Sequence, residues 1–339
     1  MSDKFNGYRY KTEPYEHQKK VLEDSWAAIF YAYLMEMGTG KSKVAIDNIA
    51  MLYEYNKINA VLIIAPKGVY DNWILGEIPN HLPDRIARIV CRWTPSSSKK
   101  FAEELNHITL HKTNDLKFFV MNVEAFSTSK GTKAAYEFLV KNPHNMVVVD
   151  ESTTIKNRKA ARTKNIMELR NVSLYRRILT GSPVTKSPMD LFSQCFFLSP
   201  RALGYNSYFS FQGRYAMVQS RTMGNRSFQE IVGYRRLDEL NEKLLEFSNR
   251  ILKEECLDLP EKVYTRRQIE LTDEQLTVYT QMKKLALAQL ENGELATTES
   301  VLTQIMRLQQ ICCGFFQPDD GEIQPIPNNR LSGLMSVVD

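Results

Sequence analysis

Three short segments of this sequence carry residue types suited to phosphate, metal and water chemistry. The first is Met35-Glu36-Met37-Gly38-Thr39-Gly40-Lys41-Ser42, directly ahead of a stretch with helical apolar spacing. Backbone amides from Gly38 through Thr39 and Gly40 to Lys41 can curl around an anion at a helix N-terminus. Lys41 would then reach terminal phosphates, and the Ser42 hydroxyl is an oxygen ligand for Mg²⁺. Position 35 is methionine where the full phosphate-loop pattern has glycine, so a glycine-containing helix cap is the bland alternative. The second segment is Val147-Val148-Val149-Asp150-Glu151, two acids at the end of an apolar run. Adjacent carboxylates there suit two jobs: Asp150 holds Mg²⁺ through water, and Glu151 orients or deprotonates an attacking water. The third, Leu179-Thr180-Gly181-Ser182-Pro183, ends another apolar run with small hydroxyl residues that can sense a phosphate site, or simply form a turn.

These segments need a scaffold that brings them to one edge. Short β-branched runs stand at residues 60–65, 86–90, 118–121, 146–149 and 177–179. Helical spacing fills the intervals at 41–55, 70–77, 134–140 and 162–170. Apolar strands alternating with helices specify an α/β fold, a parallel sheet with helices on both faces. Ligands in such folds sit at the carboxyl ends of the strands, where all three segments fall. Beyond Pro188 the strand signals fade. Residues 209–234 mix aromatics with arginine, while 237–252, 273–290 and 300–311 read as amphipathic helices, with a capping box at Thr272 and Gln275. Residues 316–330, rich in Pro, Asp, Gly and Asn, read as a linker.

Composition narrows the classes. Of 339 residues, 43% are hydrophobic and 24% charged, an ordinary globular balance. No apolar run approaches the ~20 residues of a membrane span, and the first residues lack a signal-peptide core. Lys plus Arg number 44 against 39 acids; the net charge of +5 permits a nucleic-acid partner without demanding one. Five cysteines with no CxxC pair fit a reducing compartment, and Cys312 and Cys313 read as core packing. His107 and His111 have metal-compatible i, i+4 spacing beside Glu103 and Glu104 but lack a third ligand.

Taken in order, the motifs resemble those of superfamily-two helicases and translocases, the Swi/Snf-like DNA translocases above all. Tyr15-Glu16-His17-Gln18 resembles their adenine-recognising glutamine motif, and Met35–Ser42 their Met-Gly-x-Gly-Lys-Thr loop. Pro66 through Trp73, followed by Glu77, is similar to the family's Pro-x-x-x-x-x-x-Trp-x-x-Glu segment, and Asn122-Val123-Glu124-Ala125-Phe126 stands where a DNA-contacting motif is expected. Asp150 through Lys156 and Asn157 resembles the Asp-Glu-x-His-x-x-Lys-Asn box, with Thr153 replacing its histidine. Leu179–Pro183 with Asp190-Leu191-Phe192, then Leu259-Pro260-Glu261-Lys262, Gln275, Tyr279 and Leu308–Ile311 continue the match, with Asn249-Arg250 where two arginines are typical.

The resemblance implies a RecA-like P-loop lobe with an α-helical protrusion: residues 1–200 as lobe one, 201–315 as the protrusion, and 316–339 as the lead into an absent second RecA-like lobe. It implies ATP and Mg²⁺ as cofactors, with Gln18, Gly38, Thr39, Gly40, Lys41 and Ser42 on the nucleotide, Ser42 and Asp150 on Mg²⁺, and Lys41, Asp150 and Glu151 in catalysis. Thr180, Gly181 and Ser182 would couple nucleotide state to movement. Lys67, Asn122, Lys156, Arg158 and Lys159 would meet the backbone of double-stranded DNA, a solvated basic face being the plain alternative for the last three. The implied activity is ATP-dependent translocation on DNA, nearly silent in a chain lacking the second lobe, since an arginine finger is worth about 10³–10⁵ in rate. A strand-separating helicase of repair or replication and a hydrolysis-poor regulatory DNA-binding module are the competing readings. The expected location is cytoplasmic, in a bacterium or a virus-infected host, or nuclear in a eukaryote.

Overall fold

The computed structural model describes residues 8–338 apart from 97, 224–225, 257, 259, 261–262, 292–297 and 319–320. The chain divides into two compact units, Met1–Leu259 and Pro260–Asp339. The first is built on β1 (Phe30–Met35), β2 (Ala60–Ala65), β3 (Arg88–Arg92), β4 (Leu116–Asn122), β5 (Asn145–Asp150), β6 (Tyr175–Leu179), the hairpin strands β7 (Ala216–Met223) and β8 (Arg226–Tyr234), and β9 (Ser248–Ile251). Seven of these form a parallel sheet in the order β3-β4-β2-β5-β6-β1-β9.

Period-2 alternation sorts each central strand between two cores. In β2, Ala60, Leu62 and Ile64 enter one hydrophobic cluster while Val61, Ile63 and Ala65 enter the other. In β5, Val147 and Val149 face the first, Met146 and Val148 the second. Both faces are dry because helices cover both, which is why these strands read as unbroken apolar runs. Helices Lys99–Leu110, Ser129–Lys141, Ala161–Leu169 and Asp190–Leu198 supply the first cluster; Glu16–Ser25 and Lys41–Glu54 supply the second. At roughly 1.5–3 kcal/mol per buried aliphatic or aromatic side chain, these layers dominate the stability of the sheet.

A buried cation ties the second layer to the sheet. Arg177 on β6 is fully buried and donates to Ser25 O at 3.1 Å, Ala28 O at 2.8 Å and Asn48 Oδ1 at 3.1 Å. It satisfies carbonyls where helix Glu16–Ser25 ends and so fixes that helix relative to β6.

The α/β expectation holds. The expected helix over 237–252 requires correction: it stops at Leu245, and Ser248–Ile251 pairs in parallel with β1 as the edge strand. The free edge of β1 offers ladder hydrogen bonds that an isolated last turn of helix does not. Residues 209–234, without clear periodicity, hold helix Tyr208–Tyr215 and the antiparallel β7–β8 hairpin. β9 returns to the sheet of the first unit, beside β1.

The second unit contains helices Asp273–Glu291, Thr298–Cys312 and Arg330–Val338 and the two-residue strands β10 (Phe315–Phe316) and β11 (Gln324–Pro325). Its expected capping box is present. Gln275 N donates to Thr272 Oγ1 and Thr272 N donates to Gln275 Oε1, each at 3.2 Å. Gln275 Nε2 also donates to Ile311 O at 2.8 Å, joining two helices. Cys312 and Cys313 are half-buried, not core; Arg330 Nη1 donates to Cys313 Sγ at 2.7 Å. Among the described residues no helix is long and apolar enough to cross a membrane.

Candidate nucleotide and nucleic-acid sites

β1, β6 and β5 are consecutive in the sheet, and their carboxyl ends release the three chemistry-bearing segments side by side. The loop after β1 carries two left-handed glycines, Gly38 with φ 86° and Gly40 with φ 85°, and enters helix Lys41–Glu54. Ser42 is the second residue of that helix, and Thr39 is buried, with its hydroxyl donating to Glu36 O at 2.7 Å. Gly40 is required twice. Its φ excludes most L residues, and a Cβ there would lie 2.2 Å from Gln18 Nε2. Gln18 is 2% exposed and donates to Thr39 O at 3.1 Å, and its Oε1 accepts from Tyr15 N at 3.0 Å. His17 Nε2 also meets Thr39 O, at 2.9 Å. The glutamine motif therefore braces the loop.

Lys41 Nζ stands 3.2 Å from Glu151 Oε1, an ion pair that connects the first segment to the second. Glu151 reaches it from a left-handed backbone at φ 46°, ψ 60°, a conformation that costs a non-glycine residue on the order of 1–2 kcal/mol. Asp150 is buried. Its Oδ2 accepts from the Trp73 indole Nε1 at 2.9 Å and its Oδ1 accepts from Glu151 N at 2.9 Å. Burial pushes the Asp150 carboxyl above its ordinary range; the Trp73 donor opposes this, the Glu151 charge adds to it, and Lys41 and the Glu151 amide oppose it.

Trp73 and Glu77 lie on a helical run whose section Trp73–Glu77 is π-wound. The spacing from Trp73 to Glu77 is one residue longer than the family's Trp-x-x-Glu, and a π-turn takes up about one extra residue. Burial raises the Glu77 carboxyl, Asn72 opposes that through a 3.1 Å hydrogen bond, and the nearby Asp150 charge raises it further.

The third segment closes over the first two. Thr180 is buried, and its hydroxyl makes a long 3.5 Å contact to Glu151 Oε2, while Ser182 N donates to Thr180 Oγ1 at 3.2 Å. A Cβ on Gly181 would lie 3.1 Å from Met37 N, so the two loops touch backbone to backbone. Gln194, which sequence reading missed, links the second and third segments. Its Oε1 accepts from Ser152 Oγ at 2.6 Å, and its Nε2 donates to Pro183 O at 2.8 Å. Arg250 on β9 donates to Gly181 O at 2.8 Å. Only the Asn249-Arg250 departure from two arginines hinted at that position.

The candidate nucleic-acid residues follow neighbouring strands on the same edge. Exposed Lys67 follows β2, and Asn122 ends β4, donating to Glu124 Oε2 at 3.0 Å. Lys156, Arg158 and Lys159 follow β5. Lys156 Nζ donates to Thr185 Oγ1, and the Arg158 guanidinium lies 4.2 Å over the Tyr208 ring and 5.2 Å over Phe209. Lys159 is exposed. Lys156, Arg158 and Lys159, without Lys67 or Asn122, border a surface cavity of about 450 Å³ with Gln212 and Gln229. His107 and His111 stack ring on ring at 4.7 Å. In Leu259-Pro260-Glu261-Lys262, Leu259, Glu261 and Lys262 lie outside the described residues.

The residues fit Mg²⁺ bound with a nucleotide: oxygen from the Ser42 hydroxyl and the buried Asp150 carboxylate for the metal, and N–H groups of a glycine cradle closed by Lys41 for phosphate. A family model described as the SNF2-related domain matches residues 34–316. The chain is 30% identical to the TATA-binding protein-associated factor MOT1 of Saccharomyces cerevisiae over 52% of its own length and 10% of that protein's. It is 26% identical to the chromatin structure-remodeling complex subunit snf21 of Schizosaccharomyces pombe over 90% of its own length and 25% of the relative's. The chain thus spans a quarter or less of these relatives. A solved Sulfolobus solfataricus SWI2/SNF2 ATPase core, in complex with dsDNA, shares the fold. Its TM-score is 0.55 at 22% identity, over 90% of this chain and 59% of that one.

Proposed function

Since the chain belongs to the SNF2-related domain family, we propose that it is part of an ATP-dependent motor that translocates on double-stranded DNA. The observation that carries the reading is the cluster formed where β1, β5 and β6 end: the glycine cradle, Lys41 paired with Glu151, and buried Asp150. In this reading the amides of Gly38 to Ser42 hold the phosphates of ATP, with Gln18 toward the adenine. Ser42 and Asp150 would hold Mg²⁺, which when bound neutralises phosphate charge. Phosphates compete with Glu151 for Lys41, so nucleotide binding frees the Glu151 carboxylate to orient or deprotonate water. Thr180, Gly181, Ser182 and the Gln194 bridge carry loop movements toward the DNA side.

Lys67, Asn122, Lys156, Arg158 and Lys159 meet the duplex backbone, not its bases. Their placement after β2, β4 and β5 supports this, as does the dsDNA held by the solved Sulfolobus core. Full turnover needs a second RecA-like lobe, in cis or in trans, that brings arginine to the terminal phosphate.

The test is ATP hydrolysis with and without duplex DNA, using Lys41→Ala as the blank. This chain alone should turn over far below about one per second, with added second lobe raising the rate by orders of magnitude. Fast, DNA-stimulated turnover without one would overturn the two-lobe part. For the DNA part, Lys67→Ala combined with Lys159→Ala should weaken duplex binding and lower the salt slope by about one per residue. Binding that is insensitive to salt would remove the phosphate-contact reading.

A further inference from the structure

We propose that Lys253 is a further nucleotide-binding residue, a second cation that meets the phosphate chain from the edge-strand side. The inference rests on reading Gly38–Ser42 as a nucleotide site and extends that site to a segment far from it in sequence. β9 pairs in parallel with β1, with Met35 opposite Ile251 at the carboxyl end of the register. Parallel pairing delivers the chain leaving β9 to the same edge as the loop leaving β1.

Two backbone contacts hold it there. Glu36 N donates to Ile251 O at 2.9 Å, and Lys253 N donates to Glu36 Oε2 at 2.9 Å. Arg250, three residues earlier, is anchored by its donation to Gly181 O at 2.8 Å. The Lys253 side chain then crosses the loop. The position of a Cβ on Gly38 lies 3.3 Å from Lys253 Cε and 3.7 Å from its Nζ. The ammonium is therefore delivered to the rim of the loop proposed to hold phosphates, on an arm fixed by the sheet. Lys41 enters the same loop paired with Glu151, so a second positive charge assists in drawing in a polyanion.

The test is equilibrium binding of ADP and of adenosine by calorimetry to the whole chain, for wild type, Lys253→Met, Lys253→Arg and Lys41→Ala. Methionine keeps most of the apolar stem over Gly38 and removes only the charge. The expected result is about five- to tenfold weaker ADP binding for Lys253→Met. Lys253→Arg should stay within about twofold of wild type, and adenosine binding should be unchanged in both. ADP affinity unchanged in Lys253→Met while Lys41→Ala abolishes binding would overturn the role of Lys253 and leave the nucleotide site standing. A parallel loss of adenosine binding would show distortion of the loop and also overturn it. Wild type and Lys41→Ala binding ADP equally poorly would remove the nucleotide reading itself.

Discussion

Replacing Trp73 by phenylalanine isolates one hydrogen bond at the proposed metal carboxylate. Trp73 is 1% exposed, and its indole donates to Asp150 Oδ2 at 2.9 Å. Asp150 is buried beside the negative Glu151, and two donors, that indole and the Glu151 amide, favour its ionised form. Phenylalanine retains most of the ring and deletes one of the two. A hydrogen bond to a buried charged acceptor is worth about 1.5–3 kcal/mol. Its loss pushes the Asp150 carboxyl further up, so a smaller fraction is ionised at a given pH and available to Mg²⁺. The Mg²⁺-dependent part of nucleotide affinity should fall, by at most roughly 10- to 100-fold if the whole bond is lost, and the deficit should shrink as pH is raised. Calorimetric ADP titrations with Mg²⁺ and with chelator separate this from packing damage, because the lost ring volume affects both alike. Equal losses in the two buffers, or no loss beyond twofold, would refute the argument that the indole acts through Asp150.

Gly40→Ala combines a strained left-handed backbone with a Cβ 2.2 Å from Gln18 Nε2, so ADP binding should drop at least about tenfold and the melting temperature by several degrees; wild-type binding would show that the loop relaxes freely. Gln194→Met strands the Ser152 hydroxyl and the Pro183 carbonyl, and urea unfolding should show a loss of about 2–3 kcal/mol, with less than 0.5 counting against the bridge. Asp47, fully buried and 2.7 Å from Lys43, has its carboxyl pushed up to about 6 by burial against the opposing pull of Lys43. A carboxyl raised in the fold contributes stability that is complete below its ordinary value of 3.8 and lost as pH rises through about 6. Asp47→Asn should therefore flatten the stability curve in that window, and a variant curve parallel to wild type there would contradict the assignment.

Whatever depends on local pattern is legible along the chain. Ala60–Ala65 was legible to the residue because a strand buried on both faces must be apolar throughout. The glycine spacing of Gly38 and Gly40, the acids Asp150 and Glu151 closing an apolar run, and the Thr272–Gln275 box are each satisfied within a few residues of chain. β1 escaped notice because Phe30–Met35 contains no β-branched residue, although its aromatic and apolar side chains serve both cores. β9 escaped because Ser248, Asn249 and Arg250 are polar and extend the helical spacing of the segment before them. Which strand lies beside β1 emerges only in the folded chain, and that order places Arg250 on Gly181 and Lys253 over Gly38. The same holds for Trp73 against Asp150 and Gln194 between Ser152 and Pro183. Except for Gln194 with Pro183, 11 positions apart, each contact joins residues from 42 positions apart upward, where strand order and not local pattern sets the distance.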